Sequence, residues 1–317
     1  MKIIKLTLAV VIFTSLNLCA LSVNAGIDKT LMVNNNYVPL MGSVYQLNNN
    51  PNLSYTWKEG STVISTHRHA YYKPTTVGTH TLTFVATNGS GATAQSTVKI
   101  TATAVPANLL NGLVAHYQFD ENMNDSSSLS NAPAVVQGTV SYMYGRIGYA
   151  SWFNAGQDKI TLSSINKFVE NKNKFTISYW VLPLSTKVQS YLSKRAVCTF
   201  GDAFDMRGKG NRIGFENTNP NPSHKTVKGT LLNLNTWTLV TVIKNGNKIT
   251  LYENGIKQGS YTTAKISFLA GDLSFSKSPC VGVDGTFRLN GAIDDFRIYN
   301  RELSVSEMQQ LHTLPLQ

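Results

Sequence analysis

WTLVTVIKNGNKITLYENG, Trp237–Gly255, is the stretch on which the fold class turns. Apolar residues recur at strand spacing through Trp237–Ile243 and again through Ile249–Glu253. Between them lies Lys244-Asn245-Gly246-Asn247-Lys248, and Asn254-Gly255 follows. Asn-Gly between such runs marks a hairpin, because its tight turn needs left-handed backbone that these two residues adopt at low cost. Helical spacing is absent. The stretch is expected as strands of an antiparallel sheet.

The same reading extends outward. Phe175–Leu182 (FTISYWVL) and Leu113–Phe119 (LVAHYQF) are expected strands, and β character runs without a break from about residue 108 to 317. Some 200 residues of this kind predict a large jelly-roll sandwich. Ser304 and Glu307 form a capping box that opens a short helix through about Leu311, with Leu303, Met308 and Leu311 packed on the sandwich. Before residue 106 the strands are shorter. Ser54–Trp57 precedes a turn at Lys58-Glu59-Gly60, and Thr79–Thr87 returns through Asn88–Gly91 into Ala94–Thr101. These predict a small sandwich with Trp57 in its core. Ala102–Leu109 with Pro106 reads as a linker. The expected division is 1–25 leader, 26–105 first sandwich and 106–317 second, which suits 317 residues.

The leader rests on Lys2 and Lys5, an apolar run from Leu6 to Val23, and small residues at Val23 and Ala25 that place cleavage after Ala25. Cys19 follows Leu18, where lipidation needs a small residue. No other stretch approaches the length of a membrane span. The expectation is a soluble bacterial protein that is secreted, periplasmic or held at the cell surface. Export leaves Cys198 and Cys280 in an oxidising compartment, where an even pair forms a disulfide; two separate buried thiols are the alternative. Neither cysteine has a CxxC partner for metal.

Charged residues are only 14% of the chain, yet the net charge is +11. Eight cations fall within residues 187–228 against Asp202, Asp205 and Glu216. Such a window either attracts an anionic partner or is a solvated loop surface. Arg195, Arg207 and Arg212 are the residues that would read an anionic sugar. Tyr142, Tyr144 and Tyr149, with Tyr191 and Phe204, are the aromatics expected at the surface. His67, His69 and His80 lack a carboxylate or cysteine at ligand spacing and read as strand or loop, not as a zinc site.

Several motifs in order resemble a family. Gly112–Asp120 with Asn124-Asp125-Ser126-Ser127, Phe153–Ile160, Phe175–Trp180, Trp237–Val242, Leu251–Gly255 and IDDFRIYNRELSVSEMQQL (Ile293–Leu311) resemble the laminin G-like, concanavalin A-like domains of bacterial secreted proteins. The segment around Trp57, Val77–Leu82 and Thr87–Gly91 resembles immunoglobulin-like and PKD-type repeats. The resemblance implies an all-β chain, an immunoglobulin-like sandwich followed by a concanavalin A-like jelly roll. It also implies a structural calcium held by Asp125 and by one of Asp294 and Asp295, with Asp120 and loop carbonyls near Ser127 as further ligands. Extended backbone would point Asp294 and Asp295 to opposite faces, one to the ion and one to solvent or Arg297. The Ser126-Ser127-Ser128-Leu129 loop lacks the glycine usual there. The other reading is that the acids accept loop N–H bonds or pair with Arg297.

Catalysis is not expected. Glycan hydrolases on this architecture need paired carboxylates, and no E-x-D-x-E pattern, G-x-S-x-G, HExxH or P-loop occurs. The expected function is carbohydrate binding or cell adhesion. A protein partner or an envelope-structural role is the alternative, and a glycan-active enzyme the lesser one. A nucleic-acid partner is not expected.

Overall fold

The computed structural model describes residues 21–33, 37–46, 52–199, 203–208, 212–218, 225–263 and 267–313. The chain divides into two compact units. One is built on Leu40–Ala70 and Thr81–Lys99 with the segment up to Asp28, the other on Ile100–Gln317 with Lys29–Pro39 and Tyr71–His80.

In the smaller unit Ser54–Glu59 pairs antiparallel with the strand at Thr87–Leu82 and with Thr62–Ser65. Trp57 is fully buried and stacks on Phe84 with ring centroids 4.7 Å apart, so it is a core residue as expected. The Asn88–Gly91 turn forms because the Asn88 side-chain oxygen accepts the N–H groups of Ser90 and Ala92. Most of the expected leader, residues 1–20, lies outside the described residues. Its end, Leu21–Asn24, pairs with Ser43–Gln46, and processing after Ala25 would release that strand.

The larger unit is a sandwich of two antiparallel sheets. The seven-stranded sheet runs Val135–Gln137, Lys159–Thr161, Leu273–Phe275, Gln189–Lys194, Ala203–Gly208, Arg212–Thr218, Lys225–Leu231. The eight-stranded sheet runs Ser141–Tyr144, Tyr149–Asn154, Asn290–Tyr299, Lys174–Pro183, Thr238–Asn245, Lys248–Glu253, Ile256–Thr262, with Leu113–Tyr117 also on Asn290–Tyr299. Both Asn-Gly hairpins are therefore present. Side chains alternate across each strand. Ile177, Tyr179 and Val181 enter the core between the sheets, where they meet Phe204, Met206 and Phe215 of the facing sheet.

Lys174–Pro183 is buried on both faces, because its other face is roofed by the C-terminal helix Val305–Thr313. Trp180 packs there with Leu303, Met308 and Leu311. The capping box forms as expected: the Glu307 N–H donates to Ser304 Oγ (3.2 Å), and the Ser304 N–H donates to Glu307 Oε2 (2.8 Å). Among the described residues no helix is long and apolar enough to cross a membrane.

Candidate functional site

The acidic pair sits at a junction in the eight-stranded sheet. On one edge Asn290–Tyr299 pairs with Lys174–Pro183. On its other edge the first half pairs with Tyr149–Asn154 and the second half with Leu113–Tyr117. The change of partner falls at Asp294 and Asp295. Trp180 faces Asp294 and Ser178 faces Arg297, so two steps on one strand meet three on the other. This is a β-bulge, and Asp295 adopts a left-handed φ of +53°. Both carboxylates are buried, at 0% and 1% exposure, so neither faces solvent, while the expected pairing with Arg297 is present at Asp295.

Each acid binds a different neighbour. Asp295 accepts from His116 Nε2 (2.7 Å) and from the Arg297 guanidinium. Burial pushes its carboxyl up, but Arg297 and His116 outweigh burial and hold it below the usual range. Asp294 Oδ2 accepts the Ile147 N–H (2.8 Å), and burial with the adjacent Asp295 charge pushes Asp294 well above that range. Asp120 Oδ1 accepts the Tyr149 N–H (2.6 Å), and burial raises Asp120 to about 7. Asp125 is saturated. Its oxygens take N–H groups of His116, Ser127 and Asn131, the Ser127 hydroxyl and the Asn131 amide.

These partners decide which acids fit a calcium ion. The ion needs six to eight oxygens. Asp125 and Asp295, both expected as ligands, have no free oxygen directed to one, since N–H and O–H donors and Arg297 take them. Asp120 Oδ2 and Asp294 Oδ1 are buried and lack a hydrogen-bond partner. Burial raises both carboxyls; the Asp295 charge adds to the shift in each, and Asp120 adds to that of Asp294. Gln118, Asn122 and Asn124 line the same recess as Asp120, and so does Lys73. Of the four acids, only Asp120 and Asp294 keep a buried side-chain oxygen without a hydrogen-bond partner. His80 is engaged by Tyr72 and the Thr76 carbonyl. Among the described residues the one close group of three candidate ligands is Cys198, Cys280 and Asp284.

Those two cysteines are joined in a disulfide, as expected. It anchors a loop beside a cleft of about 520 Å³ on the outer face of the seven-stranded sheet. Arg207, Arg212, Gly214, Glu216, Thr226 and Lys228 line it, with Val188 and Asp284. The strand period makes this lining: Phe204 and Met206 point to the core, and Arg207 points out. Arg207 is held by Glu216 and by Asp284 Oδ2 (2.5 Å). Arg212 donates to the Gly229 carbonyl (3.1 Å). Among the described residues no carboxylate lies within ion-pair distance of Arg212 or Lys228. Arg212 is thus held by a carbonyl and acts on the buried Glu253 from further off; a guanidinium meets a carboxylate or sulfate through paired N–H bonds.

The basic window therefore resolves into parts. Arg207, Arg212 and Lys228 share one cleft. Arg195 does not: it is buried, paired with Asp205, and bonded to the Val197 and Thr199 carbonyls. Lys194 is buried with Glu170 and the Gly271 carbonyl. Lys209 lies outside the described residues. Tyr142 and Tyr144 are on the edge strand Ser141–Tyr144 of the other sheet, away from the arginines. Tyr144 is exposed and Tyr142 half-buried. Tyr191 and Phe204, expected at the surface, are in the core. Sequence reasoning missed Asp284 and its loop; the Asp284-Gly285 turn pair after Cys280 is the signal that marks it.

Fold and cleft define a concanavalin A-like jelly-roll sandwich with a basic outer face. Residues 154–309 match the model of the concanavalin A-like lectin/glucanases superfamily, Laminin_G_3. Among solved structures, the binding domain of botulinum neurotoxin serotype D/C is 16% identical with a TM-score of 0.51, over 64% of this chain and 52% of that one. Domain 4 of the extracellular GH43 arabinanase AbnA of Geobacillus stearothermophilus, solved with arabinotriose, is 21% identical with a TM-score of 0.47, over 63% and 98%. The match thus spans about half of the toxin domain, and at these identities the likeness is one of fold. No curated protein matches the chain.

Proposed function

We propose that the protein is an exported, non-catalytic recognition module that binds an anionic glycan through the Arg212–Lys228 cleft. The observation that carries this reading is the pair of cations without carboxylate partners among the described residues, set in a cleft of about 520 Å³ on a concanavalin A-like sandwich. In this reading residues 1–25 direct export, 26–105 form an immunoglobulin-like spacer and 106–317 bind.

The side chains favour binding over hydrolysis. Of the two cleft carboxylates, Asp284 is held below its usual range, with Thr286 and Arg207 outweighing burial, whereas a proton donor needs the opposite shift. Ser126 Oγ lies 3.0 Å from His116 Nδ1, and His116 Nε2 meets Asp295, which has the outline of a nucleophile chain. His116 is 1% exposed, however, and burial with Arg297 lowers its basicity. The Ser126 hydroxyl is also engaged by the His116 carbonyl. A calcium ion on Asp120 and Asp294 would serve stability, since an ion bound by the folded form alone stabilises it.

A glycan array probed with the processed protein tests the reading. Binding is expected to acidic glycans and to weaken with salt. R212A/K228A should lose about 100-fold or more in affinity, the loss of two charge-assisted contacts. Silence on every glycan, with capture of an envelope protein, would replace the glycan by a protein partner.

A further inference from the structure

We infer that the ligand is an extended polyanionic chain, which crosses from the Arg212–Lys228 cleft into a second subsite built around Phe287. The inference rests on the proposed function and adds the shape and charge spacing of the ligand.

A second cavity of about 400 Å³ is lined by Gly156, Gln157, Gly282, Thr286, Phe287 and Arg288, among others. One loop, residues 281–288, separates it from the cleft and serves both: Asp284 lines the cleft, and Thr286 and Phe287 line the second cavity. Arg207 touches both sides, bonding Asp284 Oδ2 (2.5 Å) and Thr286 Oγ1 (3.1 Å). The two cavities are therefore neighbours across this loop.

The loop is a fixed platform. Its root is the Cys198–Cys280 disulfide. The Phe287 N–H donates to the Val188 carbonyl (2.7 Å), and the Ser190 N–H donates to the Phe287 carbonyl (2.9 Å). Asp284 Oδ1 accepts both the hydroxyl (2.6 Å) and the N–H (3.2 Å) of Thr286. A surface ordered before binding loses little entropy on binding.

Phe287 is 47% exposed, a large ring left at the surface where the core phenylalanines are fully buried. The Lys187 ammonium lies 4.6 Å from its centroid. Among the described residues no carboxylate is within ion-pair distance of Lys187. Ring and ammonium together suit an acidic sugar: its C–H face packs on the aromatic, and its acid group meets the lysine. Cations thus stand at Arg212 and Lys228 in the cleft and, at Lys187, over the ring that lines the second cavity. A chain with an acid on repeating units meets both. Joining two sites through one ligand raises affinity through effective concentration.

The test is isothermal titration of the protein with size-graded galacturonate and hyaluronan oligomers, from one sugar to ten. Affinity is expected to rise more than tenfold with length and then level off. F287A, at a surface position, should melt like the wild type, bind the shortest acidic fragments unchanged and lose the gain with length. K187A should do the same in a salt-dependent way. Length-independent affinity, or an F287A profile that follows the wild type, would overturn the inference while leaving the cleft reading intact. Absence of binding to any acidic oligomer would overturn the cleft reading, and the inference with it.

Discussion

Asp294 and Asp120 hold the same turn from two sides. Asp294 Oδ2 accepts the Ile147 N–H at 2.8 Å, and Asp120 Oδ1 accepts the Tyr149 N–H at 2.6 Å. Between those amides is Gly148, with a φ of +66° and only 2.3 Å between Asp120 Oδ1 and the place a Cβ would occupy. The turn Gly145–Gly148 is thereby fixed against the first and last strands of the jelly roll. Each carboxylate still has one buried oxygen with no hydrogen-bond partner.

Those oxygens make a calcium test specific. Calcium at about 100 times its dissociation constant should add about 2.7 kcal/mol, which for a domain of roughly 200 residues, the size of the jelly roll, raises Tm by about 5–10 °C. Scanning calorimetry in calcium and in chelator measures it. D120N and D294N should abolish the rise, whereas D125N should lower Tm equally in both conditions. A wild-type Tm that ignores calcium and chelator would remove the ion from the account.

Asp284 competes for the charge that the cleft presents. It is exposed and pairs with Arg207, which Glu216 also holds. D284N releases part of that guanidinium to a ligand. Affinity for an acidic oligosaccharide should rise about fivefold, the effect of ~1 kcal/mol for a partly exposed pair. Titration at low and moderate salt reads it, and a fall in affinity would show that Arg207 needs Asp284 for its position.

The disulfide closes a separation of 82 residues. Its loss in C198S/C280S should cost about 2–4 kcal/mol of stability through the freer unfolded chain. Chemical denaturation of the double variant checks the value. Binding should fall as well, at temperatures where the variant is still folded, because the loop carrying Asp284 and Phe287 loses its root.

Acid should loosen the C-terminal helix. Hydrogen bonds from Arg301 hold the Glu307 carboxyl at about 2, against an ordinary 4.5. The folded state then carries fewer protons than the unfolded one between these values, so the contribution is complete above about pH 4.5 and is lost as pH falls toward 2. E307Q should melt lower than wild type at neutral pH, by about 1 kcal/mol of lost capping. The two melting curves should converge near pH 2, and a gap that persists there would assign the effect to packing.

What the sequence reveals here is what short stretches of chain decide. Asn245-Gly246 and Asn254-Gly255 set their hairpins, and Ser304 with Glu307 sets a helix start, through contacts a few residues apart. The Cys198–Cys280 pair follows from a count. The bulge at Asp295 is invisible by that means, since it depends on register against Trp180 and Ser178, more than a hundred residues away. The cleft is equally nonlocal: Val188, Arg207, Lys228 and Asp284 meet only across strands. Composition likewise does not separate Arg207, which lines the cleft, from Arg195, which is buried against Asp205. Tyr191 and Phe204 lie in the core against expectation, because polar neighbours in sequence do not say which way a strand residue points.

The strand Asn290–Tyr299 emerges late in synthesis yet belongs inside its sheet, where Lys174–Pro183 waits on one side and Leu113–Tyr117 and Tyr149–Asn154 on the other. Until it arrives, three earlier strands present bare edges and the sandwich stays open. Pairing over such sequence distances is slow. A truncated copy ending before residue 290 would leave those three edges bare, and bare edges are templates for pairing with another chain.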